Sequence, residues 1–384
     1  MLLPILAILA LGVSTQAAGA RGNPFAARGM WIWELSSSNS GSLGSIIARA
    51  HLNGITTLLI KSGDGSGTWS QFNRSMVATF HRAGLNVCAW QYVYGNDPVG
   101  EARVGAAAVR DGADCLLIDA ETEYEGKYVS AQTYLTTLRK LIGRYFPVAL
   151  AGFPYVDYHP AFPYSVFLGP GGAQYNVPQM YWRDIGVSVD TVYAHTFAFN
   201  RPYGRPIAPL GQVYNSPPAG QIIRFRQLSR AYGAPNVSWW DWQEGNAGAF
   251  HAASRPVGGL SGFTPYRTLA TLPPHAQGDL VVWAQEHLIS AGQNVAVDGD
   301  FGPSTLAAVK RFQAAKGLTA DGVIGTATWT ALLRYREANV TWVIKKKRQQ
   351  AVVASGGARQ ELVPKSAKLH AKHNEIPPSL GSGR

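Results

Sequence analysis

Leu116-Leu117-Ile118-Asp119-Ala120-Glu121 is an apolar run that ends in two carboxylates. Side chains two apart in a strand share a face, so Asp119 and Glu121 project together from the strand's C-terminal end. Apolar, β-branched or aromatic runs recur over residues 29–35, 55–61, 85–94, 114–121, 148–155, 176–182, 206–214 and 236–242. Helix-like stretches lie between them, over 43–53, 71–83, 99–111, 131–145, 189–199 and 219–231. Gly54, Gly84, Gly112 and Gly233 stand at helix–strand joints, where glycine commonly ends a helix.

Strand–helix alternation at this repeat length predicts a parallel sheet with helical crossovers. Eight units predict closure as a (β/α)₈ barrel over residues 28–252. No Gly-x-Gly-x-x-Gly loop follows the first strand, which argues against an open dinucleotide-binding sheet. Barrels of this kind carry their chemistry where strands hand over to loops. The acidic pair sits there, and glycoside cleavage commonly uses two carboxyl groups flanking one bond.

The chain has 384 residues, 46% of them hydrophobic, and a formal net charge of +11. The charge is uneven: Asn339–Arg384 holds nine Lys/Arg against Glu361 and Glu375. The basic balance therefore describes a tail, expected to be disordered over 339–384, and no nucleic-acid partner is expected. Residues 1–20 read as a secretory signal peptide with a small-residue cleavage pattern at Ala18-Gly19-Ala20, although they lack a basic start. No later segment looks membrane-spanning. Cys88 and Cys115 lie in apolar strand-like runs and are expected to be buried free thiols, with no disulfide framework.

A Pro/Gly-rich linker over 253–276 precedes a small module at 277–334 that contains a repeat. Val297-Asp-Gly-Asp-Phe-Gly-Pro-Ser-Thr305 is echoed by Ala320-Asp-Gly-Val-Ile-Gly-Thr-Ala-Thr328, each a turn opening a helix. With Gly278-Asp-Leu-Val-Val-Trp-Ala-Gln-Glu-His-Leu288 and Gly317-Leu-Thr-Ala-Asp-Gly-Val-Ile-Gly-Thr-Ala-Thr-Trp-Thr-Ala-Leu332, this segment resembles the all-α, three-helix peptidoglycan-binding domain appended to cell-wall hydrolases. The resemblance implies wall binding near the two turns, with Asp298, Phe301 and Asp321 as candidate contacts. The same residues also read as turn and core residues of the module.

The barrel resembles glycoside hydrolases that act on N-acetylated glycans. Asp114, Asp119 and Glu121 fall in register with the family 18 chitinase signature Asp-Gly-x-Asp-x-Asp-x-Glu, while Cys115 and Leu117 depart from it. Asp119-x-Glu121 is also similar to family 25 lysozymes, although Trp31-Ile-Trp33-Glu34 stands where that family has an aspartate. Gln179-Met-Tyr181-Trp182 resembles the family 18 Met-x-Tyr segment. These resemblances imply Glu121 as general acid, with Asp119 and Tyr181 orienting a substrate acetamide or Asp119 acting directly. Glu34, Trp33, Trp90, Gln91, Gln179, Trp182, Trp240 and Asp241, collected from predicted strand ends, are the candidate sugar-binding residues. Rings stack on pyranose faces while polar groups read hydroxyls and acetamides.

Nine histidines without His-x-His or His-Glu-x-x-His spacing, and the lack of a Gly-x-Ser-x-Gly elbow, argue against a zinc peptidase or a serine hydrolase. No cofactor is expected. The combined expectation is a secreted or periplasmic, wall-associated, monomeric glycosidase acting on peptidoglycan. The alternatives are a non-catalytic barrel that binds wall polysaccharide, and a hydrolase of another N-acetylated glycan such as chitin.

Overall fold

The computed structural model describes residues 23–345 and 348–353. The expected signal peptide and the tail beyond 353 lie outside the described residues. Eight parallel strands run β1 Gly29–Ile32, β2 Thr57–Asp64, β3 Asn86–Val93, β4 Cys115–Ala120, β5 Val148–Ala151, β6 Tyr175–Asn176, β7 Leu210–Gln212 and β8 Ser238–Trp240. Strands β1 to β6 each pair with the next in sequence, β7 pairs with β8, and β8 pairs with β1. Parallel bridges Asn176–Ile207 and Gln179–Leu210 close the ring between β6 and β7. The chain is a (β/α)₈ barrel, as the alternation predicted.

The crossovers are α1 Leu43–Leu52, α2 Arg74–Arg82, α3 Pro98–Arg110, α4 Tyr128–Ile142, the single turn α5 Tyr164–Phe167, α6 Val189–Asn200, α7 Ala219–Tyr232 and α8 Ala247–Ser254. Short polar residues start several of them. Ser42, Asn73, Asp97, Ser188 and Asn246 each accept a backbone N–H of the first helical turn. Along β3 and β4 the two faces separate cleanly. Val87, Ala89, Leu116 and Ile118 face the helices, while Cys88, Trp90, Cys115 and Leu117 fill the barrel interior. The interior joins Trp31 and Trp90 to small Ala149 and Ala151, so bulk from one side meets space from the other.

Cys88 and Cys115 stand opposite each other on β3 and β4 and form a disulfide, which corrects the expectation of free thiols. Their Cα atoms are 4.6 Å apart. Register did what spacing alone could not reveal: it brought two inward positions on adjacent strands face to face.

The C-terminal module is three helices, α9 Asp279–Ser290, α10 Pro303–Ala315 and α11 Thr326–Leu332. It is built against the barrel. The fifth crossover is only one turn long, and α9 packs on it. Asp279 is buried there and accepts the N–H (2.8 Å) and Oγ–H (2.6 Å) of Ser165 and the phenol of Tyr203 (2.8 Å). The indole of Trp283 donates to Pro202 O at 2.7 Å. Gly278 has φ +109°, and a Cβ there would meet Pro160 O at 2.5 Å, so only glycine lets the backbone come this close. The linker is tied at both ends of its last stretch: Ala270 N–H bonds Ala198 O, and Leu272 bridges Ile324.

Part of the expected disordered tail is ordered. β9 Val340–Lys345 and β10 Arg348–Val353 pair as an antiparallel hairpin. Val340-Thr-Trp-Val-Ile344 is β-branched and aromatic, a composition that favours a strand. Trp342 stacks on Tyr128 at 4.1 Å and its backbone exchanges hydrogen bonds with the Gln132 amide of α4.

Candidate active site

Asp119 is the last inward residue of β4, and Glu121 follows it past the strand end. The side-chain amide of Gln179, beyond β6, donates at 3.0 Å to both Asp119 Oδ1 and Glu121 Oε1. One amide therefore holds the pair together across the barrel mouth. Asp119 is only 5% exposed, and Glu121 is half-buried at the rim.

Burial holds the Asp119 carboxyl well above the usual carboxylate range, the Glu121 charge raises it further, and Lys61 opposes both. Burial also raises Glu121, against the Gln179 hydrogen bond, while Glu123 adds to the rise and His159 opposes it. Two carboxyls this close and this poorly solvated cannot both ionise cheaply, so the pair retains a proton to higher pH than either alone.

Around the pair stand aromatic and acidic side chains. Tyr92, opposite Asp119 in the β3–β4 register, donates its phenol to Glu123 at 2.8 Å. Tyr181 is buried and packs edge-on against Tyr214 at 5.5 Å. Burial raises the Tyr181 phenol, and the charges of Asp119, Glu121 and Asp241 add to the effect. The phenol therefore stays neutral. Asp241 is 1% exposed. Its Oδ1 accepts Glu244 N–H at 3.2 Å, and its Oδ2 is buried without a partner. Burial pushes this carboxyl up to about 7. Trp31, Trp90 and Trp240 meet at 5.4–5.7 Å between ring centres beneath the mouth.

Of the candidate residues, Asp119, Glu121, Gln179, Tyr181, Asp241, Trp33, Trp90 and Trp240 are gathered at the mouth or in the interior below it. Gln91 is not. It follows Trp90 by one residue, so it faces the helices and donates to Gly65 O and Glu101 O. Trp182 likewise follows Tyr181 by one. Its indole donates to Gln221 of α7 and its ring packs on Phe225, in the outer core. Glu34, after β1, accepts a bond from Ser37 beside it. Tyr92 was missed as a candidate. Tyr92 shares the parity of Trp90, which could have found it.

In the module, Asp298, Phe301 and Asp321 serve the scaffold. Phe301 is fully buried. Gln285 donates to Asp298 Oδ1, Asp300 O and Thr305 Oγ1, and accepts from the N–H groups of Asp298 and Gly299. Gln313 repeats the arrangement with Asp321 Oδ1, Val323 O, Thr328 Oγ1 and Gly322 N–H. Among the described residues, no group of three or more His, Cys, Asp or Glu side chains is placed to hold a metal ion.

Residues 277–332 match the family model of the peptidoglycan binding domain. The chain is 39% identical over 93 residues to a zinc D-Ala-D-Ala carboxypeptidase of Streptomyces albus G, covering 23% of this chain and 36% of that protein. The chain thus spans about a third of that relative's length. It is 40% identical over 90 residues to a Kitasatospora aureofaciens protein described as lying in the bpoA1 3' region, covering 72% of it. Among solved structures, a class V chitinase from Nicotiana tobaccum superposes with TM-score 0.44 at 11% identity, covering 59% of this chain and 97% of that one.

Proposed function

Residues 277–332 belong to the peptidoglycan binding domain family, and from that premise we propose that the chain is a wall-associated glycosidase that hydrolyses the glycan strands of peptidoglycan. The observation that carries this reading is the Asp119–Glu121 pair, bridged by Gln179 at the C-terminal mouth of the barrel.

Glu121 is the general acid. Its half-buried rim position leaves it reachable, and burial raises its carboxyl, the direction that protonating a leaving oxygen requires. Asp119, deeper in the mouth, stabilises the positive charge that develops at the anomeric carbon. It does so either directly or by orienting a substrate acetamide, with the neutral Tyr181 phenol as the second contact. Trp240 and Trp33 offer flat apolar surface to the sugar rings. The Cys88–Cys115 disulfide supports an oxidising compartment, hence secretion or a periplasmic location. No described helix is long and apolar enough to cross a membrane.

Purified peptidoglycan incubated with the full chain should release new reducing ends. Product masses then distinguish cleavage after muramic acid from cleavage after glucosamine. Sedimentation with the wall and no release of reducing ends would replace this reading with that of a binding protein.

A further inference from the structure

The hairpin β9–β10 follows the module in sequence, yet it returns to the barrel and seats itself beside the loop that begins at Glu121. Gln349 accepts Val129 N–H at 2.7 Å and donates to Gly126 O. The Gln132 amide holds the Trp342 backbone from the other side. Between the hairpin and the loops that follow β3 and β4 lies a cleft of about 460 Å³. Asn96, Lys127, Ser130, Ile344, Arg348 and Gln349 line it.

The cleft is cationic, and its cations have no counter-ion among the described residues. The Lys127 ammonium donates to Tyr94 O and to Asn96 Oδ1, each at 2.8 Å. Both acceptors are neutral, so the charge stays uncompensated and one of the three ammonium donors stays free. Arg348 is exposed. Lys345 stands directly opposite it in the hairpin register, where like charges cost stability. The ion pairs among the described residues include none of these cations. The carboxylates close by in sequence are engaged elsewhere. Asp97 accepts Gly100 N–H at the start of α3, Glu123 accepts the Tyr92 phenol, and Glu125 pairs with His159. The cleft also neighbours the mouth. Lys127 is fixed to Tyr94, the Tyr94 ring lies 5.0 Å from that of Tyr92, and Tyr92 stands opposite Asp119.

Resting on the glycosidase reading, we propose that this cleft is a carboxylate subsite. Lys127 and Arg348 take an acidic group carried by the same glycan strand that Asp119 and Glu121 cut. A guanidinium and an ammonium suit a carboxylate as a fork and a point charge. Peptidoglycan supplies carboxylates on its stem peptides and, where a peptide is missing, on its lactyl ethers. Chitin is uncharged and supplies none. The cleft therefore distinguishes the two polymers at a site away from the acidic pair.

The test compares three fragments of equal length: wall glycan with stem peptides, the same glycan stripped to free lactyl carboxylates, and chito-oligosaccharide. Binding is measured by calorimetry on the full-length Glu121→Gln chain, so that turnover does not intrude. A carboxylate-bearing fragment should bind more tightly than the neutral one, and added salt should shrink that preference. The arm that shows the preference names the source, stem peptide or lactyl group. Arg348→Gln and Lys127→Gln, each added to that chain, should lower the preference by about two- to fivefold, the worth of a solvent-exposed charge pair. These variants also separate the cleft from wall binding by the module. Arg348→Gln gives up no described hydrogen bond, so it carries the test if Lys127→Gln does not fold. An undiminished preference in folded Arg348→Gln overturns the subsite. A preference that maps to the cleft, in a protein whose unsubstituted chain never releases reducing ends from the wall, removes the glycosidase reading and leaves the subsite standing. Wall cleavage with equal binding of all three fragments removes the subsite alone.

Discussion

Gln179 illustrates how one side chain can define a site. Its amide gives two hydrogen bonds to two carboxyls that would otherwise repel, and it keeps them on the same side of the mouth. Glu121→Gln should leave the fold intact and lower glycan cleavage by about 10²–10⁴-fold, the usual loss on removing a general acid. Full turnover by a folded Glu121→Gln protein would move the role to Glu123 or Glu244. Gln179→Leu should be nearly as damaging through kcat. Without the shared donor both carboxyls hold their protons more tightly, so the acidic limb of the rate profile should shift upward. An unshifted limb would count against the pair as the reacting groups. At this scale, period two in a strand was a good guide to Asp119, Glu121 and Tyr181, and it failed one residue away. Gln91 and Trp182 sit beside inward residues and therefore face outward. Nor could the sequence reveal the slip in β2 that brings Lys61 and Asp64 to one face.

Among elements, all eight strands and six of the crossover helices lie where the alternation put them, because apolar runs and glycine stops are local signals. What escaped was pairing across strands. The Cys88–Cys115 bond depends on the register of β3 against β4, which the runs do not specify. Closing a loop of this length (27 residues of separation) constrains the unfolded chain by about 3–4 kcal/mol in the entropic account. The double variant Cys88→Ala/Cys115→Ala should lose stability of about that order in urea unfolding, with the barrel still formed. An unchanged midpoint would mean the bond adds nothing beyond the packing of two small inward residues. The hairpin β9–β10 escaped for the converse reason. A basic, polar neighbourhood masked its β-branched run, and Trp342 found a surface on α4 that only the folded barrel provides. The module's repeat, by contrast, was visible as text, and its cause is the pair Gln285 and Gln313. Gln313→Ala strands the Gly322 N–H and removes the three bonds that the Gln313 amide donates. Buried donors left unpaired cost about 1–3 kcal/mol each. The module should therefore melt earlier in Gln313→Ala while the barrel holds, visible as a separated transition in calorimetry. A single unshifted transition would contradict this account of the turn.

The whole molecule carries an electrostatic liability that should appear in its stability. Asp119, Glu121, Asp241, Asp279 and Glu286 all have carboxyls raised chiefly by burial, Asp241 to about 7 and Asp279 to about 6. Three sit at the barrel mouth. The other two lie on α9, where the module meets the barrel. In each case the native state holds its proton more tightly than the unfolded chain, whose carboxyls titrate near pH 4. Wherever the native state binds more protons, stability falls as pH rises. The contribution of these groups is therefore complete below about pH 4. It is lost as pH climbs through the folded values, to about 6 for Asp279 and about 7 for Asp241. His287 runs the other way: burial lowers it, so its contribution is lost as pH falls through its folded value, and exposed Asp321 is also lowered. Five groups against two decide the sign. Thermal unfolding of the full chain should give a higher Tm at pH 5 than at pH 8. Asp279→Asn should flatten part of that slope, because an amide accepts the Ser165 N–H and the Tyr203 phenol through its carbonyl and has no charge to bury. A Tm that rises from pH 5 to pH 8 would mean that these carboxyls are hydrated in solution, and that the module is not seated on the barrel as described.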